Sequence, residues 1–519
     1  MELLPAQRDA HILQHRGALH EPLFTGQDAV IVACAAERAS HALADLPFAD
    51  HLKKLYGHAQ KQGPVAVLST RVTAETIPLV FVFIKPAASA FEQLTQAARA
   101  WKELVHPPRK VLFATCGMDE AHSRAALEAL VAAALAGSAS LPTFKSKPIR
   151  PVALETITLV HDGAPLDMQR TLAVDHGNHL ARWLTTLPPN VLDSVSYRRA
   201  LAQLAKQRRW GFTFLDEAML KRSGAGAFLA VARANEHRDA GIVRLRYKAP
   251  NRGSVSARVA LVGKGICFDT GGINLKSHKS MYHMHEDMQG SAVAVGTLLA
   301  LSELEVPFDI DCWLALTENE IGGRAYRPQE VVTAANGVTI QVAHSDAEGR
   351  MVLADTLALA AREEPDLIID YATLTGACVN ALTERYSGAF TNRPQWREAL
   401  ELAGRYSGER VWTFPMDEDY DSDLNSTIAD VLQCTPDSKG DHILAARFLN
   451  RFVPAQIPWI HLDLAASNRS GGLAHIPTDF TGFGVRYTTQ LLLDHGLLGN
   501  RPTKKPTGKA ATGKLAGTR

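Results

Sequence analysis

Short apolar runs bounded by polar residues alternate with longer stretches whose apolar residues recur at helical spacing. In the first part of the chain, AVIVAC (29–34), VAVLST (65–70), LVFVFI (79–84) and KVLFAT (110–115) read as buried strands. AFEQLTQAARAWKEL (90–104) and DEAHSRAALEALVAAAL (119–135) read as helices between or after them. Strands alternating with helices predict a parallel or mixed sheet covered by helices, an α/β fold. The Lys- and Pro-bearing SLPTFKSKPIRP (140–151) marks a boundary, and the strand-like TITLV (156–160) just past it can close either unit.

A helix is predicted over roughly 165–186, stopped by the prolines of LPPN (187–190). Beyond it GIVRLRY (241–247), RVALVG (258–263), FDIDCWLAL (308–316), DLIIDYA (366–372) and WIHLDLA (459–465) read as strands. SAVAVGTLLALSEL (291–304), MVLADTLALAAREE (351–364) and ILAARFLNRF (443–452) read as helices. No fixed-period repeat is visible. The expected organisation is an accessory α/β domain over 1–150, a larger α/β/α domain with a mixed, mostly parallel sheet over 151–500, and a tail. The tail, RPTKKPTGKAATGKLAGTR (501–519), has six basic residues and no acids, cannot bury a core and is expected to be disordered.

Composition narrows the class. Hydrophobic residues make up 46% of the 519 positions and charged residues 21%, which excludes a disordered chain. Lys+Arg 55 against Asp+Glu 54 leaves a net charge of +1, so no global field recruits nucleic acid or an anionic membrane. Six scattered cysteines with no C-x-x-C argue against a disulfide framework and against a thiolate zinc site. The N-terminus lacks a signal pattern and no apolar run approaches a membrane span. A cytoplasmic location is expected.

Candidate chemistry concentrates in two segments of the second domain. In VGKGICFDTGGINLKSHKSMYHMHEDMQGS (262–291) a strand runs into a glycine-rich loop expected to carry Lys264, Asp269 and Lys276, with Asp287 just before a helix. In HSDAEGRM (344–351), Asp346 and Glu348 are two apart, and extended backbone would point both carboxylates the same way. Four carboxylates cannot be gathered without compensation, so either cations sit among them or they are spread apart. Two divalent ions would neutralise them and activate a water for hydrolysis. Gly263, Gly265, Gly271 and Gly272 would let the backbone approach such ions and turn tightly. Other readings are weaker. A lone D-x-E is ordinarily a solvated loop, G-K-G lacks the rest of a phosphate loop, and no calcium-loop pattern is present. His278, His283 and His285 have no partner histidine at ligand spacing.

The wording of these segments resembles a known family. GKGICFDTGGINLK, then M-x-x-M-x-x-D-M-x-G, SDAEGR and IIDYATLTGA are similar to the leucyl aminopeptidase (cytosol aminopeptidase) family of metallopeptidases. TLPPN (186–190), EN…RAYRP (318–328), ADVLQ (429–433), WIHLDLA (459–465) and TGFGVR (481–486) resemble further family blocks in the family's order, so the likeness spans roughly 165–495. It implies a macro-like N-terminal domain, a dimetal catalytic domain and release of N-terminal, Leu-like residues from peptides. It also implies two divalent ions, Zn²⁺ or Mn²⁺. Asp269 and Glu348 would bridge or touch both, Asp287 and Lys264 would complete the tighter site, and Asp346 would complete the exchangeable one. Lys276 would stabilise the developing gem-diolate, and Arg350 would hold a bicarbonate acting as general base. Met284, Leu374, Gly376 and Ala465 would wall the first side-chain pocket. A homohexamer built as a dimer of trimers is implied as well.

Two positions depart from the family's pattern: His344-Ser345 stands where Asn-Thr is usual, and His285 where a basic residue is common. An imidazole titrates near neutrality, so either is expected to shape the pH profile. Some relatives also bind DNA, and the basic tail could add phosphate contacts, but the near-zero net charge argues against a nucleic-acid role. A catalytically dead scaffold is disfavoured because every ligand, both lysines and the arginine are present.

Overall fold

The computed structural model describes residues 2–6, 10–71, 77–147, 152–250, 256–437 and 439–498. The basic tail and residues 148–151, at the expected domain division, lie outside the described residues.

Strands β1 (His11–Arg16), β2 (Ala29–Ala35), β3 (Val67–Arg71), β4 (Pro78–Ile84), β5 (Lys110–Cys116) and β6 (Thr156–His161) form one six-stranded sheet in the order β1-β6-β5-β2-β4-β3. All neighbours are parallel except β3, which runs antiparallel to β4. Helices Ala90–Lys102 and Glu120–Ser138 cover one face through Leu94, Ala97, Leu127 and Val131. Leu52 and Tyr56 of helix Ala49–Gln60 cover the other. The first of these helices starts where the sequence dictates. The Ser89 hydroxyl accepts from the Glu92 amide and the Glu92 carboxylate accepts from the Ser89 amide, a reciprocal cap. TITLV becomes β6 and pairs with β1 and β5, so this sheet extends past residue 150.

The larger unit holds β7 (Gly211–Asp216), β8 (Gly241–Tyr247), β9 (Arg258–Asp269), β10 (Asp309–Asn319), β11 (Val331–Thr333), β12 (Thr339–Gln341), β13 (Leu367–Ala372), β14 (Ser387–Thr391), β15 (Val411–Thr413), β16 (Val431–Leu432) and β17 (Trp459–Asp463). Eight of them form a mixed sheet, β15-β14-β17-β13-β9-β10-β8-β7, and β11, β12 and β16 form a small separate one. The central run β17-β13-β9-β10 is parallel. Helices cover both faces, which gives three layers. Helices Gln169–Thr186, Ser194–Arg208, Gln289–Glu303 and Val485–Asp494 pack on one side, and Gly226–Ala232, Glu348–Ala361 and Asp441–Asn450 on the other. The 289–303 and 348–361 helices are apolar around nearly their whole circumference because neighbours enclose them. The 169–186 helix ends at Leu187, which adopts extended backbone ahead of Pro188, as a residue before proline must.

Strands β1 (HILQHR) and β7 (GFTFLD) carry no continuous apolar run because each lies at a sheet edge. The strand expected to stop at residue 263 continues as β9 to Asp269, held by β10 along its length. Lys264 and Asp269 therefore sit on the central strand and only Lys276 sits in the loop. Gly263 and Gly265 serve packing rather than approach to an ion. A Cβ on Gly263 would lie 2.7 Å from the Gly290 carbonyl and closer still to Ser291 Cα, and one on Gly265 would lie 2.6 Å from the Ala315 carbonyl. Gly263→Ala is accordingly expected to lower stability by about 1–3 kcal/mol through overpacking against the 289–303 helix. Denaturant unfolding of both proteins checks this.

Candidate metal centre

The carboxyl half of β9, the loop that follows it and the starts of the 289–303 and 348–361 helices deliver the charged residues to one cavity of about 570 Å³. Lys264, Asp269, Lys276, Asp287, Asp346 and Glu348 all line it. The carboxylates are not spread apart: one oxygen each from Asp269, Asp346 and Glu348 lies within 4.8 Å of the others. Asp346 and Glu348 do not meet by strand alternation. Asp346 sits in a turn and Glu348 opens the 348–361 helix, so a bend in the chain brings them together.

Two lysines thread the cluster. Lys264 Nζ donates to Asp287 Oδ1 (2.7 Å) and to the Thr373 carbonyl (2.9 Å) and stands 3.0 Å from Glu348 Oε1. Lys276 Nζ lies 2.8 Å from Asp269 Oδ2 and 2.5 Å from Asp346 Oδ1. The turn that returns Lys276 to the cluster passes through Gly271 and Gly272, at φ +84° and +65°, a region other residues rarely enter. Asn319 at the end of β10 donates to Asp269 Oδ1, and Thr373 Oγ1 donates to Asp287 Oδ1, both at 2.8 Å.

Burial and mutual repulsion dominate the electrostatics. Burial opposes the charge on Lys264, but Asp287, Glu348 and Asp269 outweigh it and hold its pKa above the ordinary lysine value. Lys276 is raised in the same way, with Asp269 the foremost of the carboxylates acting on it. Burial, with Glu348 beside it, pushes Asp269 up to about 6. Asp287 is raised well above the carboxylate range by burial, against the pull of Lys264. Asp346 is also raised, chiefly by burial and then by Glu348. Glu348 alone is lowered, because the two lysines overcome its burial. Four carboxylates against two ammoniums leave a net negative site. Asp287 Oδ2 and Glu348 Oε2 are buried without a hydrogen-bond partner among the described residues. Buried carboxylate oxygens without partners are costly unless a cation meets them, and an oxygen-rich set with one amine suits divalent ions. The residues present fit such ions.

The expected pocket walls are here too: Met284, Leu374, Gly376 and Ala465 line the same cavity. Asp463 fixes the segment that carries Leu374 and Gly376, accepting from the Leu374 amide (3.2 Å) and from Thr375 Oγ1 (2.7 Å) at the cap of helix Gly376–Leu382. Arg350 differs: it is not among the residues lining the cavity. It is buried, donating from Nη2 to Asp441 Oδ2 (2.7 Å) and from Nη1 to the Gln433 carbonyl (3.2 Å). His344 adjoins the cluster and His285 packs against Phe480, and burial holds both below the ordinary histidine value. His344 Nδ1 accepts from the Asp346 amide at 3.2 Å, which fixes the turn before Glu348. Asn319, Thr373 and Asp463 were not singled out from the sequence. Their only signal there was membership of the EN, ATLTGA and HLDLA blocks.

Residues 179–489 match the cytosol aminopeptidase family, catalytic domain. A probable cytosol aminopeptidase of Synechococcus sp. (strain JA-3-3Ab) is 35% identical over 506 residues, covering 92% of this chain and 98% of its own. One from Stutzerimonas stutzeri is 38% identical over 415 residues, 76% and 82% of the two chains. Among solved structures, the bottromycin maturation enzyme BotP in complex with Mn superposes with a TM-score of 0.77 at 29% identity, covering 90% of this chain and 98% of that one. A mutant of tomato leucine aminopeptidase gives a TM-score of 0.79 at 26% identity, covering 94% and 98%.

Glu348→Ala removes a carboxylate that stands 3.0 Å from Lys264 Nζ while leaving Lys264 paired with Asp287. The variant is expected to keep its circular-dichroism spectrum and to lose Mn²⁺ binding by at least roughly tenfold, measured by calorimetry.

Proposed function

The chain belongs to the cytosol aminopeptidase family and is a metal-dependent aminopeptidase, and we propose that it releases Leu- or Met-like residues from peptides with a free N-terminus. What supports the reading most directly is the meeting of four carboxylates and two lysines in one cavity with an apolar wall. In this reading Asp269, Asp287, Asp346, Glu348 and Lys264 would hold two divalent ions, Zn²⁺ or Mn²⁺, with Asp269 and Glu348 serving both, Asp287 and Lys264 the tighter site and Asp346 the exchangeable one. When bound, the ions supply Lewis acidity that holds the substrate's α-amine, polarises the scissile carbonyl and acidifies a water.

The chain's own groups do the rest. Lys264 is held protonated by the carboxylates around it, and to serve as a ligand it would have to give up one Nζ proton, since only the free amine has a lone pair. Lys276 keeps its charge. Held by Asp269 and Asp346, its Nζ is pre-aimed to donate to the oxyanion that develops at the reacting carbonyl. Arg350, in the first turn of the helix that Glu348 opens, brings a buried positive charge that requires an anion beside it. Met284, Leu374, Gly376 and Ala465 receive the first side chain, where one methylene changes discrimination by about 1–3 kcal/mol.

The N-terminal α/β unit is proposed as accessory, because the residues lining the cavity begin at Lys264. A cytoplasmic homohexamer, a dimer of trimers, rests on family membership alone, and light scattering is expected to return the mass of six chains. No helix among the described residues is long and apolar enough to cross a membrane.

The decisive assay compares leucine p-nitroanilide with its N-acetylated form, before and after chelation. Cleavage of the free-amine substrate only, lost on chelation and restored by Mn²⁺ or Zn²⁺, is the expected result. Equal cleavage of both forms would overturn the amine-capture reading.

A further inference from the structure

The resemblance assigns Arg350 an exogenous bicarbonate, and the structure disagrees. Arg350 is buried to 3% exposure of its side chain, and its guanidinium already has an anion from the chain itself, Asp441. Nη2 donates to Asp441 Oδ2 at 2.7 Å and Nη1 donates to the Gln433 carbonyl at 3.2 Å. Among the described residues, Nε is the guanidinium nitrogen left without a partner. Two of the guanidinium's five N–H groups, one on each terminal nitrogen, are thus already committed to acceptors from the chain itself, one of them a carboxylate.

Charge argues the same way. Asp441 opens helix Asp441–Asn450, where the helix N-terminus favours a carboxylate, and it sits across from the first turn of the 348–361 helix. Its second oxygen, Oδ1, is buried and also has no partner among the described residues. A bicarbonate added here would place a second anion against one guanidinium, with Glu348 also in range of Arg350. Two like charges sharing a buried site are strongly disfavoured.

We propose that Asp441 is the resident anion of Arg350, a positioning residue that takes the place of exogenous bicarbonate and makes the aminopeptidase independent of it. This rests on the reading of Arg350 as part of the reaction centre. Asp441 holds the guanidinium in place through Nη2, while Gln433 fixes the other terminal nitrogen and, through its side chain, the backbone at Ala343 and His344.

The test uses full-length, metal-loaded enzyme in carbon-dioxide-purged buffer with and without millimolar bicarbonate. The wild type is expected to hydrolyse leucine p-nitroanilide equally in both, with an unchanged melting temperature. Asp441→Ala is expected to lose about 10–100-fold in kcat/KM. Bicarbonate should restore part of that loss and raise the variant's melting temperature, since an anion that binds only the folded state stabilises it. Asp441→Asn, which keeps the volume, serves if the alanine variant does not fold, and the wild-type arm needs no variant. Bicarbonate stimulation of the wild type, or an Asp441 variant fully active without bicarbonate, would overturn the proposal. Arg350→Ala separates the layers. Inactivity in that variant beside an unaffected Asp441 variant sinks only the role of Asp441. Full activity in Arg350→Ala sinks the role of Arg350 and this proposal with it.

Discussion

Repulsion among Asp269, Asp287, Asp346 and Glu348 is the constraint around which the larger domain is organised. Four acids in a mostly buried cleft would drive one another apart or take up protons. The fold prevents this by mounting them on elements that cannot separate. Asp269 is at the end of the central strand β9, Asp287 just ahead of the 289–303 helix, and Glu348 at the start of the 348–361 helix. Lys264 and Lys276 neutralise part of the charge, and the remainder is negative charge that divalent cations would offset.

Keeping those elements in place is the work of the two apolar layers. The 289–303 helix is pressed so closely on β9 that Gly263 has no room for a side chain, and the 348–361 helix is enclosed on the opposite face. The cleft thus lies at the carboxyl ends of parallel strands, where open α/β sheets leave a crevice. Polar groups behind the cluster hold the acids' orientation: Asn319 on Asp269, Thr373 on Asp287, and Asp463 on the loop that carries Leu374. Arg350 and Asp441 extend this shell away from the cavity, and each is the other's partner, the arginine buried and the aspartate partly so.

Most elements were legible because their apolar periodicity is strong. β2, β4, β5, β8 and β9 and the helices at 90–102, 289–303 and 348–361 fall where the runs predict them. Edge strands β1 and β7 were not, since an edge strand is only partly buried and needs no continuous apolar run. The extension of β9 through GKGICFD was hidden by its glycines, which read locally as a loop and become strand only because β10 and β13 flank them. Asp346 and Glu348 were correctly paired on an incorrect geometry: their carboxylates meet through a turn into a helix.

The amino-acid sequence by itself determined the α/β class, the charged residues of the centre, the apolar wall residues and the family, because these depend on residue types and local spacing. Tertiary structure alone decided which sheet receives the strand at 156–161, that the four acids converge, and that Asp463 and Thr373 support them. It also decided that Arg350 faces Asp441, about ninety positions away along the chain. The division follows from range: periodicity and motifs report on neighbours in sequence. The balance of charge in a buried site depends on groups that only the packing of the sheet and its helices brings within bonding distance.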